Sequence, residues 1–213
     1  MKVYLLPGIA CDHRLFDRID LNGYDVVKLD WPCFRPNTTL SDIAMDLRER
    51  INAEEPHVFI GVSMGGMVAQ ELAVLTHPQR VVLISSWTHR SEWPWFVRFG
   101  SLIGAGRFAS MNVIRATWPL KRILGSRDAV SDRLLFDMAM KEGEGQIKRG
   151  VQAILHWKGS SWQGPTVRIH GDNDALMPIS KVKADVVVKG GTHAMVLCQA
   201  EAVSAAINAA LAG

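Results

Sequence analysis

A serine flanked by two glycines lies between a predicted strand and a predicted helix. Residues 58–62 form an apolar run without polar alternation, which is typical of a strand buried on both faces. The pentapeptide 61–65, Gly-Val-Ser-Met-Gly, follows, and small residues then recur at every fourth position, which predicts a helix lying close to a sheet. This pattern is typical of a nucleophile elbow, a tight turn that presents the hydroxyl of Ser63 beside the free N–H groups of a helix.

Candidates for the base and the acid that such a serine needs occur later in the chain. A serine hydroxyl becomes a strong nucleophile only when a base takes its proton, and the base needs an acid that orients it. His193 follows one predicted strand, and both Asp172 and Asp174 follow the strand before it. An aspartate so close to the end of a strand commonly stabilises a turn, which is the more ordinary role for Asp172.

Three local patterns together resemble those of the α/β-hydrolases of the serine esterase type. They are the elbow at 61–65, a Gly-x-x-Asp-x-x-x-Pro loop at 171–178 and a Gly-Gly-x-His loop at 190–193. Each follows a predicted strand, and the order serine, aspartate, histidine is the order found in that family. The resemblance covers nearly all of the chain outside residues 87–162.

The resemblance implies a role for each of these residues. Ser63 would be the nucleophile, His193 the general base and acid, and Asp174 the orienting carboxylate, with Asp172 as the alternative acid. The backbone N–H groups of Met64, at the start of the elbow helix, and of Ile9, after the first strand, would form the oxyanion hole. The loop before Ile9 departs from the commoner His-Gly form because Pro7 stands in place of the histidine.

Strands alternate with helices outside the middle of the chain, which predicts a doubly wound α/β fold with a parallel sheet. We expect a minimal sheet of six strands, without the antiparallel strands that usually precede this arrangement. The predicted strands are 3–6, 25–29, 58–62, 81–84, 166–170 and 185–188. Helices are predicted at 40–52, where Thr39 and Asp42 offer a capping box, after the elbow, and at 195–211.

Residues 87–162 interrupt this alternation. The segment is helical in character, has no obvious strand, and contains six of the seven tryptophans. We therefore predict one α/β-hydrolase domain over 1–213, in which 87–162 is an inserted helical lid. Trp87, His156 and Trp157 are the candidates for the substrate pocket, whereas the remaining histidines apart from His193 are expected to be structural or superficial.

The composition excludes several classes of protein. The formal net charge of +3 is too small to indicate nucleic-acid binding, and no run of 18 apolar residues predicts a membrane span. The N-terminal apolar run, at 3–6, is too short for a signal peptide. Three cysteines, Cys11, Cys33 and Cys198, have no metal-ligand spacing and are expected to be reduced thiols of a cytoplasmic protein.

The predicted lid has 12 basic and six acidic residues, so it is more positive than the rest of the chain. The basic residues either solvate the outer faces of its helices or form a cationic rim that favours an anionic substrate. We expect a serine hydrolase that cleaves a carboxylic ester or thioester through an acyl-enzyme, without metal or organic cofactor. An acyltransferase, a C–C bond hydrolase and a non-catalytic ligand-binding protein are the alternatives on the same scaffold.

Overall fold

One sheet of six parallel strands organises the protein. The computed structural model describes residues 1–21, 23–102 and 129–213. The strands are β1 Lys2–Leu6, β2 Asp25–Lys28, β3 His57–Val62, β4 Arg80–Ile84, β5 Thr166–Gly171 and β6 Val186–Val188. Their order in the sheet is β2-β1-β3-β4-β5-β6, and every neighbouring pair is parallel, which confirms the predicted sheet.

The strand order reverses between β1 and β3, because the chain runs outward to β2 and then crosses back to β3. In an open parallel sheet, a crevice forms at such a switch point, outside the carboxyl ends of the strands. β3 is buried at all six positions, as the unbroken apolar run predicted. The fold therefore places the residues after β1 and β3 beside the natural binding crevice.

Seven α-helices lie in the described ranges, and two of the predicted helices differ from those observed. They are α1 Leu40–Arg48, α2 Met64–Thr76, α3 Trp95–Leu102, α4 Ala129–Glu142, α5 Glu144–His156, α6 Met195–Cys198 and α7 Ala200–Ala212. The predicted capping box is present, but α1 ends at Arg48 because its last carbonyls bond three residues ahead in tight turns. The predicted C-terminal helix is divided at Gln199, whose backbone is not helical and whose side chain donates to the carbonyl of Lys189.

Two apolar clusters cover the two faces of the sheet. Tyr4 and Leu6 of β1 lie in one cluster with α1 and α2, whereas Val3 and Leu5 lie in the other with α7, as the alternation along a strand requires. Helix α5 joins the first cluster and α4 joins the second. The two helices before β5 therefore pack on opposite faces of the sheet.

The ends of the predicted lid are paired with each other. An antiparallel bridge joins His89 to Gly159, and the N–H of Arg90 donates to the carbonyl of Lys158. A partly buried ion pair between Glu92 and Arg168 of β5 holds the first end to the sheet, with oxygen–nitrogen distances of 2.7 and 2.9 Å. Residues 103–128 of this segment lie outside the described residues, so the lid over 87–162 stays a prediction.

None of the helices in the described ranges is both long and apolar enough to cross a membrane.

Candidate active site

Ser63 occupies a strained turn between β3 and α2. Its φ of 53° and ψ of −119° lie in a region that residues with a side chain rarely adopt. Two hydrogen bonds hold it there: its N–H donates to the carbonyl of Ile84 at 2.9 Å, and the hydroxyl of Ser86 donates to its carbonyl at 2.7 Å. Strain that the surroundings maintain in this way is characteristic of functional sites.

The two glycines of the elbow have a steric explanation. A Cβ at Gly61 would overlap the backbone of Gly65, and a Cβ at Gly65 would overlap the carbonyl oxygens of Leu6 and Pro7. Any larger residue would force α2 away from β1 and β3. The spacing of the motif therefore reflects close backbone packing around the serine.

His193 lies between the serine and an aspartate. Its Nε2 is 3.1 Å from the Oγ of Ser63, and its Nδ1 is 2.9 Å from Oδ2 of Asp174. The other carboxylate oxygen of Asp174 accepts the N–H groups of Leu176 and Met177, at 3.0 and 2.8 Å. The structure thus brings together the three predicted catalytic residues, in the geometry that proton transfer from the serine requires.

Asp174 is suited to remain ionised although it is buried. Burial alone raises the pKa of this carboxyl, whereas the charge and hydrogen bond of His193 and the N–H of Met177 lower it. The lowering is the larger effect, so the pKa of Asp174 lies below its ordinary value. A buried carboxylate of this kind can orient the imidazole and stabilise its positive charge.

Asp172, the alternative acid, lies in a different place. It is exposed, and its Oδ1 accepts the N–H of Gly190 at 2.6 Å. It therefore holds the loop after β5 to the loop that carries His193, which is the turn-stabilising role that its position suggested. The same two loops meet at Gly171 and Gly191, where a Cβ on Gly171 would overlap the backbone of Gly191.

The predicted oxyanion donors are adjacent to the serine. Met64 is the first residue of α2, so the helix leaves its N–H without an intrahelical partner. Ile9 follows β1, and the preceding Gly8 lies against Ser63, since a Cβ on Gly8 would be 3.6 Å from the serine Cβ. The role of the two N–H groups stays a prediction.

A cavity of about 130 Å3 lies next to Ser63 and His193. Its remaining walls are apolar, and Leu135 and Ala139 of α4 form the side contributed by the predicted lid. The thiol of Cys11 also lines the cavity. Burial raises the pKa of this thiol to about 12, so it is uncharged. The other lining residues are Gly8, Ile9, Ala10, Leu15, Val62, Leu176 and Ala194.

Trp87, His156 and Trp157, the residues predicted for the substrate pocket, are not among the described residues that line this cavity, and their part in binding stays a prediction. Trp87 and Trp157 are buried in the apolar cluster on the α1–α2 face, and the indole N–H of Trp157 donates to Glu71 at 2.9 Å. His156 is exposed at the end of α5. The tryptophans fill space beside the sheet, so they belong to the core.

His170 is the residue of this region that the sequence did not single out. It lies on β5 with 1% of its surface exposed, and its Nε2 is 2.7 Å from the carbonyl oxygen of Met177 and 3.7 Å from Oδ2 of Asp174. Its position one residue before the end of a strand, and four before the acid, was the available signal. His57, in contrast, is buried at the amino end of β3 and bonds to Thr76.

None of the described residues that line the cavity is a charged residue of the predicted lid. Lys141 pairs with Asp12 at 3.0 Å, and Arg90 stacks on Trp93. Five of the basic residues counted in the lid lie outside the described residues: Arg107, Arg115, Lys121, Arg122 and Arg127. Within the described ranges, no group of three or more histidine, cysteine or acidic side chains is placed to hold a metal ion.

Comparisons with known proteins agree with this geometry. A family model described as the alpha/beta hydrolase family matches residues 3–206. Among solved structures, a thermophilic esterase from Thermogutta terrifontis is similar with a TM-score of 0.76 and 16% identity, over 99% of this chain and 89% of that one. The esterase RhEst1 from Rhodococcus sp. ECU1013 gives 0.74 and 14%, over 100% and 90%. A bromoperoxidase from Bacillus anthracis gives 0.73 and 17%, over 100% and 92%.

No curated protein matches the chain. At these identities, the solved structures establish a shared fold and leave the reaction to be argued from the site.

Proposed function

The chain belongs to the alpha/beta hydrolase family, and we propose that it is a serine hydrolase that cleaves carboxylic esters through an acyl-enzyme. The observation that carries the proposal is the chain of two short contacts from the Ser63 Oγ to His193 and from His193 to the buried Asp174. Folding alone does not require a strained serine, a histidine and an ionised aspartate at one point.

The proposed reaction proceeds in two steps. Ser63 Oγ attacks the ester carbonyl carbon while His193 Nε2 takes the hydroxyl proton, and the N–H groups of Ile9 and Met64 stabilise the oxyanion. His193 then gives that proton to the leaving alcohol as the carbon–oxygen bond breaks, which leaves the acyl group on Ser63. Water attacks the acyl-enzyme, again with His193 as base, and releases the acid and the free serine.

The cavity supports a choice of substrate. Apart from Ser63, His193 and the thiol of Cys11, its described walls are lined by apolar residues, so it favours an uncharged hydrocarbon group. A dry apolar cavity of about 150 Å3 is large enough for benzene, so a cavity of about 130 Å3 suits a group of roughly six carbons or fewer. We therefore propose esters whose acyl group is short and neutral.

Covalent labelling tests this proposal directly. A fluorophosphonate probe should add once to the wild-type protein, at Ser63, and Ser63→Ala should not react. With p-nitrophenyl butyrate, Ser63→Ala should lose about 10⁴-fold or more in kcat, because the triad acts as a unit. The matched control is Ser41→Ala, which removes an exposed serine hydroxyl that pairs with Glu71.

Two results would count against the proposal. If Ser63→Ala keeps more than about a tenth of the wild-type rate, another group is the nucleophile. If the wild type binds esters but neither turns them over nor reacts with the probe, the protein is a ligand-binding relative. Transfer of the acyl group to an added alcohol in preference to water would indicate an acyltransferase.

The anionic substrate predicted from the charge of residues 87–162 concerns the part of the ester outside the cavity. A cationic rim would raise kcat/KM for an ester with an anionic leaving group over its neutral isostere at low salt. The advantage should disappear as ionic strength rises, since the Debye length falls to about 3 Å at 1 M salt. Equal salt responses for the two esters would assign these basic residues to solvation of the surface.

A further inference from the structure

The imidazole of His170 is enclosed at the carboxyl end of β5, directly behind the acid of the candidate active site. Its Nε2 lies 2.7 Å from the carbonyl oxygen of Met177. A carbonyl oxygen can only accept, so Nε2 must carry a hydrogen and donate it. Since a buried hydrogen bond of this length restricts both partners, the loop after β5 is held at Met177.

Both backbone groups of Met177, its N–H and its carbonyl, form hydrogen bonds within this site. Its N–H donates to Oδ1 of Asp174 at 2.8 Å, while its carbonyl accepts from His170. The loop between the two residues is therefore closed on itself, with the carboxylate at one side and the imidazole at the other. Displacement of Met177 would move the N–H that fixes the Asp174 carboxylate.

The imidazole is also close to the carboxylate itself. Its Nε2 is 3.7 Å from Oδ2 of Asp174, the oxygen that accepts from His193. The hydrogen on Nε2 thus presents a partial positive charge to an ionised carboxylate without forming a second ion pair. His170 contacts the acid of the site and is not among the residues that line the cavity, which suits a supporting role.

His170 must be neutral for this arrangement to work. Burial lowers its pKa, the charges of His193 and Arg168 lower it further, and the Met177 carbonyl and Asp174 oppose that change without reversing it. Arg168 is itself paired with Glu92. A protonated His170 would place a second cation beside Asp174 and weaken the preference of the carboxylate for the imidazolium of His193.

We propose that His170 is a positioning residue, which fixes the Asp174 carboxylate through Met177 and thereby keeps His193 oriented toward Ser63. The proposal rests on the triad of the proposed function, but it concerns the geometry of the pair Asp174–His193. It can therefore be tested without a substrate.

The test compares two substitutions at this position with one elsewhere. His170→Phe keeps a buried ring and removes the donor, whereas His170→Gln places an amide N–H where Nε2 lies. His57→Phe is the matched control, since His57 is also a buried strand histidine but lies at the opposite end of the sheet, bonded to Thr76.

The first readout is proton and nitrogen NMR of the free protein. The wild type should show the low-field resonance of the His193 Nδ1 proton bonded to Asp174, and His170→Gln should retain it. His170→Phe should lose or broaden it, because the carboxylate that accepts this proton is no longer fixed. His57→Phe should lower thermal stability and leave the resonance unchanged.

The second readout is hydrolysis of p-nitrophenyl butyrate. His170→Phe should lose about 10- to 100-fold in kcat with little change in KM, since misplacement of a catalytic group by about 1 Å has effects of this size. His170→Gln should recover most of that loss. If His170→Phe folds and keeps the wild-type resonance of the His193 Nδ1 proton, His170 does not position the acid.

If His170→Phe loses as much stability as His57→Phe but keeps the resonance, His170 has a purely structural role and the proposal is overturned. If His170→Phe does not fold, the comparison passes to His170→Gln, and loss of the His193 Nδ1 resonance from a folded His170→Gln would overturn the proposal. A wild type that hydrolyses no ester would contradict the proposed function, while the NMR result would still decide the role of His170.

Discussion

Two regions face each other across the cavity, and they are held in place by different means. The loop after β3 contacts the end of β1, and the loops after β5 and β6 contact each other, through backbone at glycines that leave no room for a Cβ. The wall opposite, formed by Leu135 and Ala139 of α4, is held by side chains: Lys141 donates to Asp12, and the hydroxyl of Ser131 accepts from Arg18.

The two kinds of contact differ in how much sequence change each region tolerates. Where backbone touches backbone, even one added methyl group overlaps its neighbour, and the geometry of the serine, histidine and aspartate tolerates no displacement. A wall held by side chains can change the size of the cavity without moving these three residues. We therefore expect substitutions in the loops to change kcat and substitutions in the wall to change the preference for substrate.

Among substitutions that leave Ser63 in place, the largest effect should come from Asp174→Asn. The change keeps the shape of the side chain but removes the charge that stabilises the imidazolium and favours the required tautomer of His193, so kcat should fall by about 10³- to 10⁴-fold. Asp172→Asn is the matched control and should lose less than about tenfold, since it only weakens a hydrogen bond to Gly190. Steady-state kinetics with one short ester would measure both, and the reverse ranking would move the acid to Asp172.

A smaller effect is expected from the wall. Ala139→Phe should fill the cavity, so kcat/KM for p-nitrophenyl hexanoate relative to the acetate should fall by about 10- to 100-fold, because each methylene in an apolar pocket has a sizeable effect. Leu135→Ala should change the ratio in the opposite direction. The control is Val130→Phe, since Val130 lies on α4 but is 66% exposed.

An unchanged chain-length profile in both cavity variants would show that the acyl group binds elsewhere. Because Ala139 is 4% exposed, overpacking could unfold Ala139→Phe, and Ala139→Val provides a milder test of the same cavity.

Sequence reasoning succeeded where the determinants are local. The apolar runs predicted all six strands, and the glycines around Ser63 predicted a turn whose strain and tight packing the structure explains. The cavity depends instead on which helix packs over which loop, so nothing near Ala139 marks it as a neighbour of the serine. Trp87 and Trp157 lie in an apolar cluster, and the sequence could not indicate this because large aromatic side chains fill a core as readily as they line a pocket.

His170 shows the same limit of sequence reasoning within the site. Its distance from the acid along the chain was known, but a histidine on a strand can face either side of the sheet. Only the return of the loop through Met177 brings the imidazole and the carboxylate together.

The smallest effect concerns the contact at which the two regions meet. Asp12, in the loop after β1, accepts from Arg14 at 2.9 Å and from Lys141 of α4 at 3.0 Å. Burial alone raises the pKa of this carboxyl, but the hydrogen bonds and charges of Arg14 and Lys141 outweigh it and hold the pKa well below the ordinary value. Asp12→Asn, which keeps an acceptor for the Arg14 N–H, should lower the free energy of unfolding by about 1–3 kcal/mol at pH 7.

The pH dependence of that loss follows from the direction of the shift. Because the pKa of Asp12 is lower in the folded protein, its contribution is complete above the unfolded value of about 3.9 and is lost as the pH falls toward the folded value. Urea unfolding should therefore give the same difference between wild type and Asp12→Asn at pH 7 and pH 5, and a smaller one below about pH 4. Lys141→Met should cost no more than about 1 kcal/mol, because its side chain is largely exposed. If the difference in unfolding free energy between wild type and Asp12→Asn grows as the pH falls, burial and not the two cationic partners determines the pKa of Asp12. The ion pair with Lys141 would then not join the wall to the loops.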